Sequence, residues 1–305
     1  MDRPLVSIII VNWNTPLLLA NCLKAVIKNT KISKEIIVVD NGSTDGSVNF
    51  IKKHFPSVIL VQTGKNFGMG TGNNWGLKIA RGSYLLVLNT DTIVPNRAID
   101  KLVSWLDNHQ YAAVVGPQLR YPDGRIQTSG GNFPTILTTT ILFLGIDDLP
   151  FLSRFLPLYQ RGGMYLSGKQ QGQFSKEHKV DWLMGACLLI RSEVYHKLGG
   201  FDENIFMYGE EVEWAYRVHK SGFSIWYTPS VWITHLKGGS STTGLRGAIL
   251  GEMHGLLYFF TKHKPSWQRS ILKAILKLGS LGRMVLYSLL KKPELVSIYT
   301  EALSI

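Results

Sequence analysis

Along the first 120 residues, short near-continuous apolar runs alternate with stretches whose apolar positions recur at helical spacing. Val6–Val11, Ile36–Val39, Val58–Val61, Tyr84–Leu88 and Ala112–Val115 have strand length, the pattern of strands covered on both faces. Between them, Pro16–Lys28, Asp45–His54, Gly72–Ala80 and Pro95–Asn108 read as helices, with Pro16 and Pro95 where a first helical turn tolerates proline. Strand, helix, strand at this spacing predicts an α/β fold with a mainly parallel central sheet flanked by helices. Ligands in such sheets bind beyond the carboxyl ends of the strands, so chemistry is expected just after each run.

From Asp123 to Val180 the texture shifts to Gly, Ser, Thr and Gln, with one apolar island at Ile136–Leu158. A strand at Ala186–Ile190, a helix at Glu210–Ser221 and strands at Phe223–Tyr227 and Val231–Thr234 complete the predicted core. The residues from Arg246 onward read as helical, so the expected division is an α/β domain over 1–245 and a helical C-terminal extension over 246–305. Within the first, the change of texture divides about 1–120 from about 121–245.

Composition narrows the classes. Hydrophobic residues at 45% allow a sizeable core and exclude global disorder. A net charge of +12 points to an anionic partner. Six of those charges come from the tail after Arg246, which holds nine Lys/Arg against three Asp/Glu. There Arg269, Lys273 and Lys277 recur at i,i+4, while Ile271, Ile275, Leu278, Val285 and Leu289 follow another side. That helix either packs its apolar side on the domain or lies on an anionic inner leaflet. The island with Phe143, Phe151 and Phe155 is a second membrane-facing element or core. Nucleic-acid binding ranks last, because no aromatic single-strand platform or recognition helix accompanies the cations. Two cysteines, Cys22 and Cys187, exclude a disulfide framework and a thiolate zinc site and favour a reducing, cytoplasmic location. No targeting segment is evident, and no stretch reaches the roughly 18 uncharged apolar residues of a membrane span.

At three strand ends the chain places amides and carboxylates: Asn12-Trp13-Asn14-Thr15, Asp40-Asn41-Gly42-Ser43-Thr44-Asp45 and Asn89-Thr90-Asp91-Thr92. Any one alone reads as turn chemistry; three together point to a site. Gly64–Gly76 holds five glycines in thirteen residues, a loop that either brings backbone amides to a phosphate or is merely flexible. It is not a dinucleotide fingerprint, since it does not follow the first strand and Asn73 stands at the third glycine. Glu210, Glu211 and Glu213 open one helix, where acids suit the dipole and Glu213 can pair with Arg217, or where one of them is a general base. His235 follows a strand and is either structural or a ligand for a divalent ion.

In order, Val6-Ser-Ile-Ile-Ile-Val-Asn-Trp-Asn14, Val39-Asp-Asn-Gly-Ser-Thr-Asp45, Asn66-Phe-Gly-Met-Gly-Thr-Gly-Asn-Asn-Trp-Gly76, Leu88-Asn-Thr-Asp-Thr92, Asp181-Trp-Leu-Met-Gly-Ala-Cys-Leu-Leu-Ile-Arg191, Gly199-Gly-Phe-Asp-Glu203 and Phe206-Met-Tyr-Gly-Glu-Glu211 resemble the landmarks of the family 2 glycosyltransferases. Among these the chain is similar to the rhamnosyltransferase-like enzymes, over about residues 4 to 264. The resemblance implies a GT-A nucleotide-diphospho-sugar transferase fold and an inverting transfer from a nucleotide-sugar donor, with dTDP-L-rhamnose favoured and UDP- or GDP-sugars as alternatives. It implies a saccharide or polyprenyl-diphosphate-linked saccharide acceptor in surface polysaccharide synthesis, on the inner face of the cytoplasmic membrane if the tail docks there.

Carried onto this chain, the resemblance assigns Asp40 to the nucleobase edge and Asn12, Asn14, Asn66, Asn74 and Asn89 to the nucleotide-sugar pocket. Asp91 and His235 would hold Mg²⁺ or Mn²⁺ on the donor diphosphate. Glu211 would be the base, with Glu210 the alternative. Asp181, Trp182, Tyr208 and Arg191 are candidates for touching the acceptor, with core packing an equal reading for Trp182 and an alternative for Tyr208 and Arg191. Two positions depart from the family pattern. Asn89 stands where the metal motif often has a second acid, and Glu210-Glu211 stands where Glu-Asp is common. A nucleotide-sugar-binding protein without turnover is the rival that Asn89 keeps open.

Overall fold

The computed structural model describes residues 4–146, 159, 174–236 and 244–305. The described residues fall into two units. One runs to Gly130 and takes the described parts of 168–206 and 210–241; the other takes the described parts of 131–167, 207–209 and 242–305.

The first unit is built on a nine-stranded sheet among the described residues. Its strands are β1 (Val6–Asn12), β2 (Lys34–Asp40), β3 (Ile59–Gln62), β4 (Tyr84–Leu88), β5 (Thr92–Ile93), β6 (Val114–Arg120), β8 (His178–Val180), β10 (Cys187–Arg191) and β11 (Ile225–His235). A short β7 (Gly130–Gly131) lies where the chain leaves this unit, and β9 (Trp182–Leu183) follows β8. The order is β3-β2-β1-β4-β10-β6-β11-β5, with β8 also on β11. β1, β2, β3, β4, β6 and β11 run one way, and β5, β8 and β10 run against them. This is the mainly parallel sheet of the GT-A fold.

β1 and β4 are buried throughout, as their apolar runs predict. β3 differs. As the edge strand it is only partly covered, because one flank has no neighbour. The expected strands Phe223–Tyr227 and Val231–Thr234 form one strand, β11, whose register against β6 shifts between Thr228 and Trp232. Pro229 lies in that shift, where its missing N–H costs no ladder bond. β6 begins and ends later than the apolar run at Ala112–Val115, since pairing with β11 carries it through Gln118 to Arg120.

Helices α1 (Pro16–Asn29), α2 (Ser47–His54), α3 (Met69–Ile79), α4 (Ala98–Asn108), α6 (Ser192–Leu198) and α7 (Glu210–Lys220) accompany this sheet. Leu19, Leu23 and Val26 of α1 and Leu102 and Leu106 of α4 join Ile8, Ile10, Leu86 and Leu189 in one core. Each fully buried side chain of this kind contributes about 1.5–3 kcal/mol. The glycine-rich segment is a helix over most of its length, not a loop. An added Cβ at Gly72 would meet Val11 Cγ1 at 2.9 Å, and one at Gly76 would meet Ile9 Cγ2 at 2.5 Å. These glycines, one turn apart, let α3 lie against β1 and β2, which is packing rather than phosphate binding.

In the second unit, α5 (Ile136–Phe143), α8 (Gly244–His263), α9 (Ser266–Leu289) and α10 (Pro293–Ala302) pack together. Gly279 of α9 meets the Phe143 carbonyl, and Arg283 Nη2 donates to the Leu142 carbonyl at 3.0 Å. The apolar island is helical at Ile136–Phe143, while Phe151 and Phe155 lie outside the described residues. No described helix is long and apolar enough to cross a membrane.

Candidate active site

The carboxyl ends of β1 and β2 meet in register, Asn12 opposite Asp40. Asn12 Nδ2 donates to Asp40 Oδ2 and to Ser43 Oγ, both at 3.1 Å, while Thr15 Oγ1 donates to Asn12 Oδ1 at 3.0 Å. The Ser43 amide donates to Asp40 Oδ1 at 2.9 Å, and the Thr44 amide to Asn14 Oδ1 at 2.8 Å. Asn14 sits in the left-handed region at φ 53°, which lets the chain turn straight from β1 into α1. One residue on, buried Asn41 ties this edge to the start of α3. Its Nδ2 donates to Asn66 Oδ1 and to the Gly68 carbonyl, each at 3.0 Å. Thus Asn12, Asn14, Asp40 and Asn66 share one network, and Asn41, to which the sequence assigned no role of its own, is its bridge.

The end of β4 leads through Asn89 and Thr90 to Asp91, which is 1% exposed. β5 follows at once and pairs antiparallel with the end of β11, setting Thr92 opposite His235. That pairing brings His235 Nε2 to 3.4 Å from Asp91 Oδ1. Asp91 Oδ1 is buried and has no hydrogen-bond partner among the described residues. Across the ring, His235 Nδ1 lies 2.9 Å from Gln127 Oε1. A carboxylate oxygen and an imidazole nitrogen facing each other in a buried site are a donor set that fits a divalent ion such as Mg²⁺ or Mn²⁺. Among the described residues no group of three or more His, Cys, Asp or Glu gathers, and Asp91 with His235 is the pair that faces inward here. Beneath the site, burial pushes the Cys22 thiol up to about 12, opposed by its contact with Thr92 and reinforced by the Asp91 charge.

Sequence reading left three acids open at the start of α7, and the structure separates them. Glu213 is fully buried, pairs with Arg217 Nε at 3.0 Å, and Arg217 in turn donates to the carbonyls of Leu198 and Gly200. Glu210 is buried with its Cβ and Cγ against Gly70 of α3. Glu211 is half-buried and faces the turn at Gly185, where an added Cβ would stand 3.9 Å from its own. Ala186, next along that turn, accepts from the Asn89 amide at 3.0 Å. Glu211 therefore sits over the turn that braces the Asp91 loop.

The remaining predicted residues lie elsewhere or turn inward. Asn74 uses its amide on the 201–203 loop, donating to the Phe201 carbonyl at 2.9 Å and to Glu203 Oε1 at 3.1 Å and accepting from the Phe201 amide at 2.8 Å. Arg191 is opposite Tyr84, at the start of β4 and hence the far edge of the sheet, with Nε on the Ala112 carbonyl and Nη2 on the Leu106 carbonyl. The structure does not bring it to the site. Trp182 is 3% exposed, a core residue with no open face for a sugar. Tyr208, in the second unit, packs its ring on Gly251 of α8. Asn89 and Asp181 are half-buried, Asn89 beside the site and Asp181 just before β9.

A family model described as glycosyl transferase family 2 matches residues 7–199. The N-acetylglucosaminyl-diphospho-decaprenol L-rhamnosyltransferase of Mycobacterium tuberculosis is 29% identical over 259 residues, covering 81% of this chain and 80% of that protein. The O-antigen biosynthesis protein RfbC of Myxococcus xanthus is 28% identical over 78% of this chain, which spans only 18% of that longer protein. In fold, the chain is similar to the mannosyltransferase PcManGT of Pyrobaculum calidifontis, solved with GDP-Man and Mn²⁺, at TM-score 0.55 and 18% identity, covering all of this chain and 75% of that one. It is also similar to GalNAc-T7 solved with UDP, GalNAc and Mn²⁺, at TM-score 0.57 and 18% identity, covering 85% and 50%. With the family model spanning more than half its length, this chain belongs to glycosyl transferase family 2 and is a glycosyltransferase.

Proposed function

We propose that the chain moves a sugar, with inversion, from a nucleotide-diphosphate donor to a saccharide or lipid-linked saccharide acceptor in surface polysaccharide synthesis. The donor favoured is dTDP-L-rhamnose, because the mycobacterial relative matched over most of both chains is a rhamnosyltransferase. The observation that carries the reading is the buried, unpartnered Asp91 Oδ1 facing His235 Nε2 beyond the ends of the parallel strands. An unpaired buried carboxylate oxygen costs stability and persists where a ligand completes it.

In this reading the nucleotide-binding half, about 1–120, takes the base against Asp40 and Asn12. Asp91 and His235 hold a divalent ion, with Mg²⁺ and Mn²⁺ both suited to the oxygen and nitrogen donors. When bound, that ion supplies charge neutralisation on the leaving diphosphate. Glu211 takes the proton of the acceptor hydroxyl, a poor nucleophile that needs a carboxylate within about 3 Å. One base acting opposite the leaving group makes a single displacement, hence inversion. Glu213 is held by Arg217 and Glu210 is buried against α3, whereas Glu211 is half-buried and stands at the Gly185 turn, so it is the base favoured here, with Glu210 as the alternative.

A lipid-linked acceptor fits the second unit. α9 exposes Trp267, Ile271, Leu278, Leu281, Val285 and Leu289 on the side away from its buried Leu272 and Leu276, and Lys273 and Lys277 flank that stripe. An apolar stripe beside cations suits an anionic lipid surface.

The test is nucleoside diphosphate release from dTDP-, UDP- and GDP-sugars, with Mn²⁺ or EDTA and lipid-linked saccharide acceptors. One donor should turn over, only with metal. Donor binding without any turnover would replace the transferase with a binding protein. For the tail, vesicles containing phosphatidylglycerol should sediment the protein, and Leu278→Ser with Val285→Ser should release it. Equal sedimentation of that variant would remove the stripe from the reading.

A further inference from the structure

We infer that Gln127 is a positioning residue that sets the tautomer of His235 and turns its Nε2 lone pair toward Asp91. The inference rests on the proposed role of Asp91 and His235 as the metal pair.

Gln127 is placed by the hairpin that follows β6. The Tyr121 amide donates to the Arg125 carbonyl at 2.8 Å, Arg120 bridges Ile126, and the Gln127 amide donates to the Leu119 carbonyl at 2.8 Å. Leu119 is paired with Ile233 of β11, so the hairpin folds Gln127 back over the strand that ends in His235. There the side chain is 1% exposed and grips His235 twice: Nε2 lies 2.5 Å from the His235 carbonyl oxygen, and Oε1 lies 2.9 Å from its Nδ1.

The logic of donors and acceptors then leaves one arrangement. A backbone carbonyl can only accept, so the Gln127 atom beside it must be the amide NH₂. The other end is therefore the carbonyl oxygen, which can only accept, so His235 Nδ1 must carry a proton. In the neutral ring that leaves the lone pair on Nε2, the nitrogen 3.4 Å from Asp91 Oδ1. Two acceptors then face each other in a buried site, an arrangement that a cation between them satisfies. Gln127 thus does for His235 what outer-shell carboxylates and carbonyls do for metal-bound histidines generally. Its position in the Gly-, Ser-, Thr- and Gln-rich stretch after Asp123 carries no sequence signal for this.

The tautomer is read directly on the metal-free protein by long-range ¹H–¹⁵N correlation of ¹⁵N-histidine at pH 8, with His235→Ala assigning the signal. Wild type should show the Nδ1–H form. Gln127→Met, similar in volume and without the acceptor, should shift His235 toward the other tautomer. It should also weaken Mn²⁺ binding in the presence of dTDP by about 10–100-fold, read by electron paramagnetic resonance. Gln127→Glu keeps an acceptor for Nδ1 and should restore the Nδ1–H form and most of the Mn²⁺ affinity. The inference falls if folded Gln127→Met keeps the wild-type tautomer and affinity, or if Gln127→Glu loses Mn²⁺ as badly as Gln127→Met. If wild type binds no Mn²⁺ with dTDP, the metal pair itself fails, whereas the tautomer spectrum still tests Gln127.

Discussion

At the amino-terminal edge of the sheet, Glu35 Oε1 accepts from Ser7 Oγ at 2.5 Å and the Arg81 amide at 2.7 Å, while its Oε2 takes the Arg81 guanidinium at 2.9 and 3.1 Å. At the carboxyl edge, Asp91 is buried as deeply, yet its Oδ1 has no hydrogen bond among the described residues and meets only an imidazole at 3.4 Å. The same sheet buries both carboxylates. At one edge every lone pair is answered by the chain, as happens also where Tyr84 bonds Asp107 and Arg191 caps the 106–112 carbonyls. At the other, one oxygen is left without a hydrogen bond, where the proposed ion would sit. Buried charge with partners holds a fold together; buried charge without them marks chemistry.

The strongest way to break that contrast is to make parallel substitutions at the two edges. Asp91→Asn should cost about 10³-fold or more in donor turnover while leaving the melting temperature unchanged or higher, because it removes an unpaired buried charge. If turnover survives, the carboxyl edge is not the site. Next in size, Glu211→Gln should lower kcat by about 10²–10⁴-fold with donor affinity retained, as expected of a lost proton acceptor. A variant that keeps full activity hands that role to Glu210.

The amino-terminal edge should respond in stability alone. Glu35→Gln should destabilise by about 2 kcal/mol in denaturant melts, with activity per folded molecule retained. Burial alone would push the Glu35 carboxyl up, but the Ser7 hydroxyl and the Arg81 amide and guanidinium outweigh it, so it titrates below the usual glutamate range. A depressed folded value means the stabilisation is complete above about pH 4.3 and lost as pH falls further. The gap between wild type and Glu35→Gln should therefore narrow as pH falls below about 4.3, and a gap constant with pH would mean the contribution is packing. The smallest effect concerns the thiols below the site. Cys22 and Cys187 are buried with thiols pushed upward, so native protein should not react with a thiol reagent at pH 8 and denatured protein should release both.

Local signals were legible. The apolar runs are β1, β2 and β4, the proline-led pattern is α1, and the acid-rich start at Glu210 is α7. Runs and periodicities of this kind reflect which faces must be buried, and that is written in neighbouring residues. The strand-end rule also led to Asn12, Asp40 and Asp91. What was not legible depends on contacts far apart in the chain. The glycines at 72 and 76 are packing glycines only because β1 and β2 lie beneath them. Glu213 is buried against Arg217, which is itself anchored on the Leu198 and Gly200 carbonyls, while Glu211 is half-buried. Trp182 and Arg191 look as available as any site residue until the fold turns one into the core and the other to the far edge. The meeting of Asp91, His235 and Gln127 joins three segments separated by up to 144 positions, from 91 to 235. Residue types and local periodicity determine which elements form and point to the edge of the sheet where the proposed site lies. Side-chain roles at that edge are settled by burial and by which donors and acceptors are left unmatched, quantities that exist only once the strands are paired.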